Sequence, residues 1–148
     1  MKQKHARSNS FVYLLERTLR QSRTLLQKEF NATGAGISID QWLVLQQIAA
    51  EQGQSLGQIA LMTAKDPAAV TRIVALMAKK KLVTKTTAKN DKRVVHVSIT
   101  PSGKKALNGC TKGVEHFKRT AAKGLSQDEL NLQKKVLDRL FENCGGKV

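Results

Sequence analysis

The chain is short of the residues that mark several protein classes. Only two of its 148 residues are cysteine, Cys110 and Cys144. Neither sits in a Cys-x-x-Cys or Cys-x-x-His spacing, so a structural zinc site has no ligand pattern to rest on. Two isolated thiols do not make a disulfide scaffold, and they fit a reducing, cytoplasmic setting. The three histidines, His5, His96 and His116, are scattered. His116 with Glu115 and Cys110 is the one local cluster, and its spacing is no recognised ligand set. No metal and no cofactor are expected. No run approaches twenty apolar residues, so no segment is expected to span a membrane. The polar, basic stretch from Met1 to Ser10 has no apolar run behind it and does not read as a secretory signal. A glycine-rich phosphate loop, a nucleophile elbow, a His-Glu-x-x-His helix and usefully spaced paired carboxylates are all missing, so no catalytic residue is assigned and an enzyme is not expected. Aromatic residues are only 4% of the chain and prolines number two.

The most telling shortage is of acid. Eleven Asp and Glu face 26 Lys and Arg, a net charge of +15. An excess this large points to a polyanionic partner, nucleic acid before acidic protein or anionic lipid. The charge is unevenly placed. Residues 1–30 carry +5, residues 31–64 carry −2, residues 65–105 carry +9 and residues 106–148 carry +3. The basic stretch 65–105 is not one amphipathic helix, which argues against a membrane-surface helix.

The periodicity gives an order of elements. Phe11, Leu14, Leu15, Leu19, Leu25, Leu26 and Phe30 recur at helical spacing over residues 10–31, before a glycine-containing break. Ser38 and Gln41 form a capping box that opens a second helix, with Ile37 and Trp42 as its hydrophobic staple; Gly53 closes it. Ser55 and Gln58 form a second box, opening a short helix with Leu56, Ile59, Ala60 and Met62 inward. Asp66-Pro67 starts a fourth helix. Val70, Ile73, Val74 and Met77 form its buried face, and Ala68, Thr71, Arg72, Ala75 and Lys79 its outer one. The period then changes to two: Leu82–Thr87 and Val95–Ile99 read as strands joined by a polar, basic tip, Ala88–Lys92. Thr100-Pro101 caps a fifth helix running toward Gly124. Ser126 and Glu129 make a third capping box, and the last helix carries Leu130, Leu132, Val136, Leu137, Leu140 and Phe141.

This is the order of a winged helix-turn-helix. The expected fold is mainly α with a small β-hairpin wing (α+β), one domain over 1–148. A winged helix-turn-helix lobe spans 37–100, and a helical dimerisation lobe is built from 8–33 and 101–144. A short helix, a tight turn and a second helix lay that second helix into the major groove. Ala68 and Ala75 permit close approach. Thr71 is suited to a phosphate or a thymine methyl. Arg72 has the reach and geometry for guanine O6 and N7. On the hairpin, Lys85, Lys89, Lys92 and Arg93 suit a wing that tracks the backbone and places an arginine in the narrow minor groove. Asp91 repels phosphate there; pairing with a nearby arginine to hold the tip's shape is the expected reason for it.

Four stretches then carry a resemblance. Ile39-Asp40-Gln41-Trp42-Leu43-Val44-Leu45, Val70-Thr71-Arg72-Ile73-Val74-Ala75-Leu76, Asp91-Lys92-Arg93 and Val95-His96-Val97-Ser98-Ile99-Thr100-Pro101-Ser102-Gly103 resemble, in order and spacing, the core of the MarR family of transcriptional regulators. The resemblance implies a homodimer held by helices one, five and six, with Phe11, Leu14, Leu15, Leu132, Val136, Leu140 and Phe141 at the interface. It implies two recognition helices in successive major grooves of a pseudo-palindrome, Arg93 in the minor groove, Asp91 bracing the wing, and repression as the usual outcome. It also implies release by a small aromatic or lipophilic acid, for which Phe11, Tyr13 and Trp42 are the candidate cleft residues, although Trp42, as a hydrophobic staple, reads better as core packing. The chain departs from the family where an acidic residue and a glycine often end helix four; here Ala78-Lys79-Lys80-Lys81 stands instead. The apolar stripes of the terminal helices argue for a dimer independently.

There are two rival readings. One is a sequence-nonspecific architectural DNA-binding protein, which the charge of +15 alone permits; the other is a winged protein-interaction module that does not bind DNA, which the basic fourth helix and wing disfavour. Redox sensing has only Lys112 beside Cys110 to support it. The family's redox-sensing branch carries its cysteine near the N terminus, where this chain has none.

Overall fold

In the computed structural model, which describes residues 10–147, helix boundaries follow the caps. Helix α1 (Phe11–Thr33) starts where the Ser10 side chain accepts the Tyr13 amide and ends at Gly34, which takes the left-handed conformation. Helix α2 (Ile39–Ala50), the short α3 (Leu56–Met62) and the last helix, α7 (Gln127–Asn143), each begin with a complete capping box, Ser38 with Gln41, Ser55 with Gln58 and Ser126 with Glu129. Asp66 caps α4 (Pro67–Lys79) through the Ala69 amide at 2.9 Å. These side chains satisfy amide donors that a helix start otherwise leaves unpaired. His5 and the first two residues of the expected 8–33 segment lie outside the described residues.

Four details correct the sequence reading. Gln54–Ser55 forms a short strand β1 that pairs with β3 (Val95–Ile99), so the hairpin of β2 (Val83–Thr87) and β3 becomes a three-stranded antiparallel sheet in the order β1-β3-β2. The expected fifth helix is two, α5 (Pro101–Gly109) and α6 (Thr111–Ala121). They meet at Cys110, which is fully buried and whose amide reaches back only three residues, to the Leu107 carbonyl. Gly109 beside Ala35 and Gly113 against the backbone of Glu29 let this junction press onto the rest of the fold. Met62 points outward rather than into the core, and Ile73 is half-buried.

One apolar core joins α2, α3, α4 and the sheet: Val44, Leu45 and Ile48 meet Ile59, Val70, Val74, Met77 and Val97, all essentially inaccessible. Phe30 from the end of α1 and Cys110 complete it. Phe30 meets Trp42 edge-on, with ring centroids 5.5 Å apart and planes at 67°, a favoured aromatic geometry. By contrast α7 has no buried residue among those described. Leu132 is 61% exposed, and Val136, Leu137 and Phe141 are exposed too, as are Phe11, Leu15 and Leu19 on α1; Leu14 and Leu140 are half-buried. On a chain otherwise rich in charge, these exposed apolar side chains of α1 and α7 stand apart from the buried core.

The base of the wing is locked to the end of α4. Thr100 donates its amide to the Leu82 carbonyl (3.0 Å) and its hydroxyl to the Lys81 carbonyl (2.7 Å), and its Oγ1 accepts the Gly103 amide (3.0 Å). Lys81 takes a left-handed conformation, φ +58°. Gly103 packs so closely under this corner that an added methyl would overlap the Leu82 carbonyl oxygen and press on Ile99. Gly103→Ala is therefore expected to destabilise the fold by about 3 kcal/mol, lowering the thermal midpoint by about 10 °C. An unchanged midpoint would contradict the close approach.

Candidate nucleic-acid interface

The buried stripe of α4 dictates what its other face shows. With Val70, Val74 and Met77 inward, the 3.6-residue period turns Ala68, Thr71, Arg72 and Lys79 to solvent and leaves Ala75 half-buried. Leu76, which the sequence reading left unassigned, is exposed on the same side. Nothing in the local pattern separates an outward leucine from an inward one; only the burial of its neighbours does. Thr71 donates its hydroxyl to the Pro67 carbonyl at 2.8 Å, so its hydrogen is already committed within the helix.

Lys85, Lys89, Asp91, Lys92 and Arg93 are all exposed on the β2–β3 hairpin. The Asp91 carboxylate accepts the backbone amide of Arg93 at 2.9 Å, while the Asp91 carbonyl accepts Val94 and the Val94 carbonyl accepts Ala88. The expected Asp91–arginine ion pair is thus replaced by an aspartate turn. It shapes the tip through the backbone and leaves the Arg93 guanidinium outward. Among the described residues, Arg72, Lys79, Lys85, Lys89, Lys92 and Arg93 make no ion pair.

A charged knot sets the position of α4. Asp40, on the first turn of α2, accepts Arg23 Nη2 from α1 at 2.8 Å and Lys65 Nζ at 2.6 Å. Lys65 follows Ala64, which holds φ +50° in the turn between α3 and α4, and precedes the cap residue Asp66. Three segments converge on one carboxylate. Partial burial disfavours its charge, but the hydrogen bonds and charges of Lys65 and Arg23 outweigh this and hold it below the ordinary carboxylate value. Lys80, at the other end of α4, donates to the Gly36 carbonyl at 2.9 Å.

The candidate cleft residues do not come together in one chain. Trp42 packs on Phe30 and lines a recess with Leu107, Val114 and Lys118. Tyr13 lies seventeen residues before Phe30 on the same helix, about 25 Å along its axis, where Arg17 stacks over its ring at 5.7 Å. Phe11 lies farther still. The Cys110 thiol is buried and pushed up to about 11 by desolvation, which opposes a reactive thiolate. Cys144 is exposed. His116 bonds Glu29 across α1 and α6 at 2.8 Å rather than joining Glu115 and Cys110. Among the described residues there is no group of metal-binding side chains, and no helix is long and apolar enough to cross a membrane.

A short helix, a tight turn, an outward-facing helix and a three-stranded sheet with a basic tip define a winged helix-turn-helix fold. The model of the MarR family matches residues 35–94. Solved structures are similar over most of the chain. A cysteine-to-serine mutant of MarR from E. coli, complexed with operator DNA, has a TM-score of 0.79 at 23% identity, covering 86% of this chain and 90% of that one. A probable transcriptional regulator from Pseudomonas aeruginosa has a TM-score of 0.74 at 26% identity, covering 89% and 97%. BpsR of Bordetella bronchiseptica, whose DNA binding is regulated by 6-hydroxynicotinic acid, has a TM-score of 0.83 at 22% identity, covering 90% and 94%. None of the curated protein sequences matches the chain.

The knot at Asp40 generates a pH prediction. Its depressed folded-state value means its contribution is complete above the unfolded value of about 3.9 and is lost as pH falls through the folded value. Asp40→Asn should lower stability at pH 7 by about 1 kcal/mol or less, since the side chains of Asp40 and Arg23 are each about two-fifths exposed. Chemical denaturation of both proteins should show that gap closing below about pH 4. A gap independent of pH would refute the assignment.

Proposed function

We propose that this protein is a sequence-specific DNA-binding transcriptional regulator that acts as a homodimer on a pseudo-palindromic operator. The observation that carries this reading is the set of exposed cations without acidic partners on α4 and the wing. Arg72 and Lys79 lie on a helix face with no acidic side chain, and Lys89, Lys92 and Arg93 on a tip shaped by Asp91. Side chains so disposed are suited to meet phosphates and base edges. In this reading the lobe over 37–100 carries the contacts. Ala68, Thr71, Arg72, Ala75 and Lys79 face the major groove, and Lys85, Lys89, Lys92 and Arg93 follow the backbone into the minor groove.

The segments 8–33 and 101–144 form the dimerisation lobe. Phe11, Leu15, Leu132, Val136 and Phe141 are exposed in the single chain, and a second copy covers them in the proposed assembly, together with Leu14 and Leu140. The protein represses where its operator overlaps a promoter. A small aromatic or lipophilic acid is its proposed effector, by analogy with the regulation of BpsR by 6-hydroxynicotinic acid. Phe11 and Tyr13 reach a common cleft with Trp42 only if the second copy brings them to it.

Selection from a random duplex pool at about 150 mM salt, where nonspecific contacts are weakened, tests the reading. The expected product is a pseudo-palindrome with half-sites about one helical turn apart. On that duplex Arg72→Ala should cost about 1–3 kcal/mol and relax the base it reads. Arg93→Ala should weaken binding most where a narrow A·T-rich minor groove flanks the half-site. Intact binding with no recovered motif would overturn the reading in favour of an architectural DNA-binding protein.

A further inference from the structure

The outer face of α4 contains one large apolar side chain, whose chemistry does not suit a phosphate. Leu76 is 52% exposed although the same helix buries Val70, Val74 and Met77. It follows Arg72 by four residues, which stacks the two along one edge of the helix, and Lys79 lies three residues on. A single exposed leucine is ordinary on a protein surface. This one is set among Arg72, Lys79, Lys80 and Lys81, a neighbourhood whose charge selects a polyanion and disfavours an apolar protein partner.

The rest of the face narrows what Leu76 meets. Ala68 and Ala75 offer one methyl each, and the Thr71 hydroxyl already donates to Pro67. Arg72 is then the strong hydrogen-bond donor in the middle of the face, and Lys79 the one at its end. A leucine gains nothing from a phosphate oxygen. Among the base edges of the major groove, the apolar feature is the C5 methyl of thymine. We infer that Leu76 is a specificity-determining residue that reads a thymine methyl beside the base recognised by Arg72. Arg72 and Leu76 together then specify a hydrogen-bonded position and a methyl-bearing one within each half-site. This inference rests on the DNA-binding reading above and assigns part of its sequence preference.

Deoxyuridine substitution tests it, because it removes the methyl and leaves the base pair otherwise intact. On the selected duplex, each thymine in a half-site is replaced in turn and the wild-type affinity measured. One position should lose about fourfold, the effect of withdrawing about one methyl-sized group from water. Leu76→Ala should bind the thymine duplex about fourfold more weakly and bind thymine and deoxyuridine duplexes equally, with its thermal midpoint unchanged because the side chain is exposed. A motif that tolerates deoxyuridine everywhere would overturn the inference while leaving the DNA-binding reading standing. So would a thymine preference that survives in Leu76→Ala, which would place the methyl contact on another side chain. Failure to recover any motif would instead remove the sequence-specific reading on which this inference rests.

Discussion

The arrangement depends on one buried stripe. Val70, Val74 and Met77 are held without measurable exposure against α2, α3 and the sheet. Because a helix repeats every 3.6 residues, fixing that stripe inward fixes Arg72, Lys79 and their neighbours outward. No further interaction is needed to aim them. Burying each of these side chains supplies roughly 1.5–3 kcal/mol, and rotating the helix would expose all three at once. The aim of the outer face is thus a consequence of the core, and this rigidity is what a surface proposed to read base edges requires.

Two smaller devices set the position of this helix along its axis and relative to the wing. At its start, Asp40 gathers Arg23 and Lys65, tying α1 to the turn that leads into α4. At its end, Thr100 bonds the Leu82 and Lys81 carbonyls while capping α5 through Gly103. The first device links a helix with an unpartnered apolar face to the proposed recognition helix. The second device explains how the chain manages without a glycine after α4: Lys81 takes the left-handed conformation, and its carbonyl is used by Thr100.

Much of the fold was legible because the signals were local and mechanistic. Ser38 with Gln41, Ser55 with Gln58 and Ser126 with Glu129 announce helix starts by a pairing that needs no tertiary context, and all three pairings are present. The period change at Leu82 announces the hairpin. What escaped depends on contacts distant in sequence. Strand β1 is two residues long, too short to show a period, and exists because β3 offers it an edge. The junction at Cys110 lacks a proline; it is set by the approach of Gly109 and Gly113 to Ala35 and Glu29. Leu76 and Met62 are apolar residues facing solvent, which composition cannot distinguish from core. In the site, the outward set Ala68, Thr71, Arg72 and Lys79 followed from periodicity alone. The partner of Asp91 did not, because a side chain bonding its own turn leaves no mark in the sequence beyond a common residue type.

Hydroxyl-radical footprinting on a selected duplex tests the central claim most directly: two copies of this surface, held by the exposed faces of α1 and α7, address successive grooves. Two protected patches related by a dyad and about one helical turn apart are expected, with protection on their outer flanks that disappears in Arg93→Ala. A single patch, or uniform protection without helical phase, would contradict it.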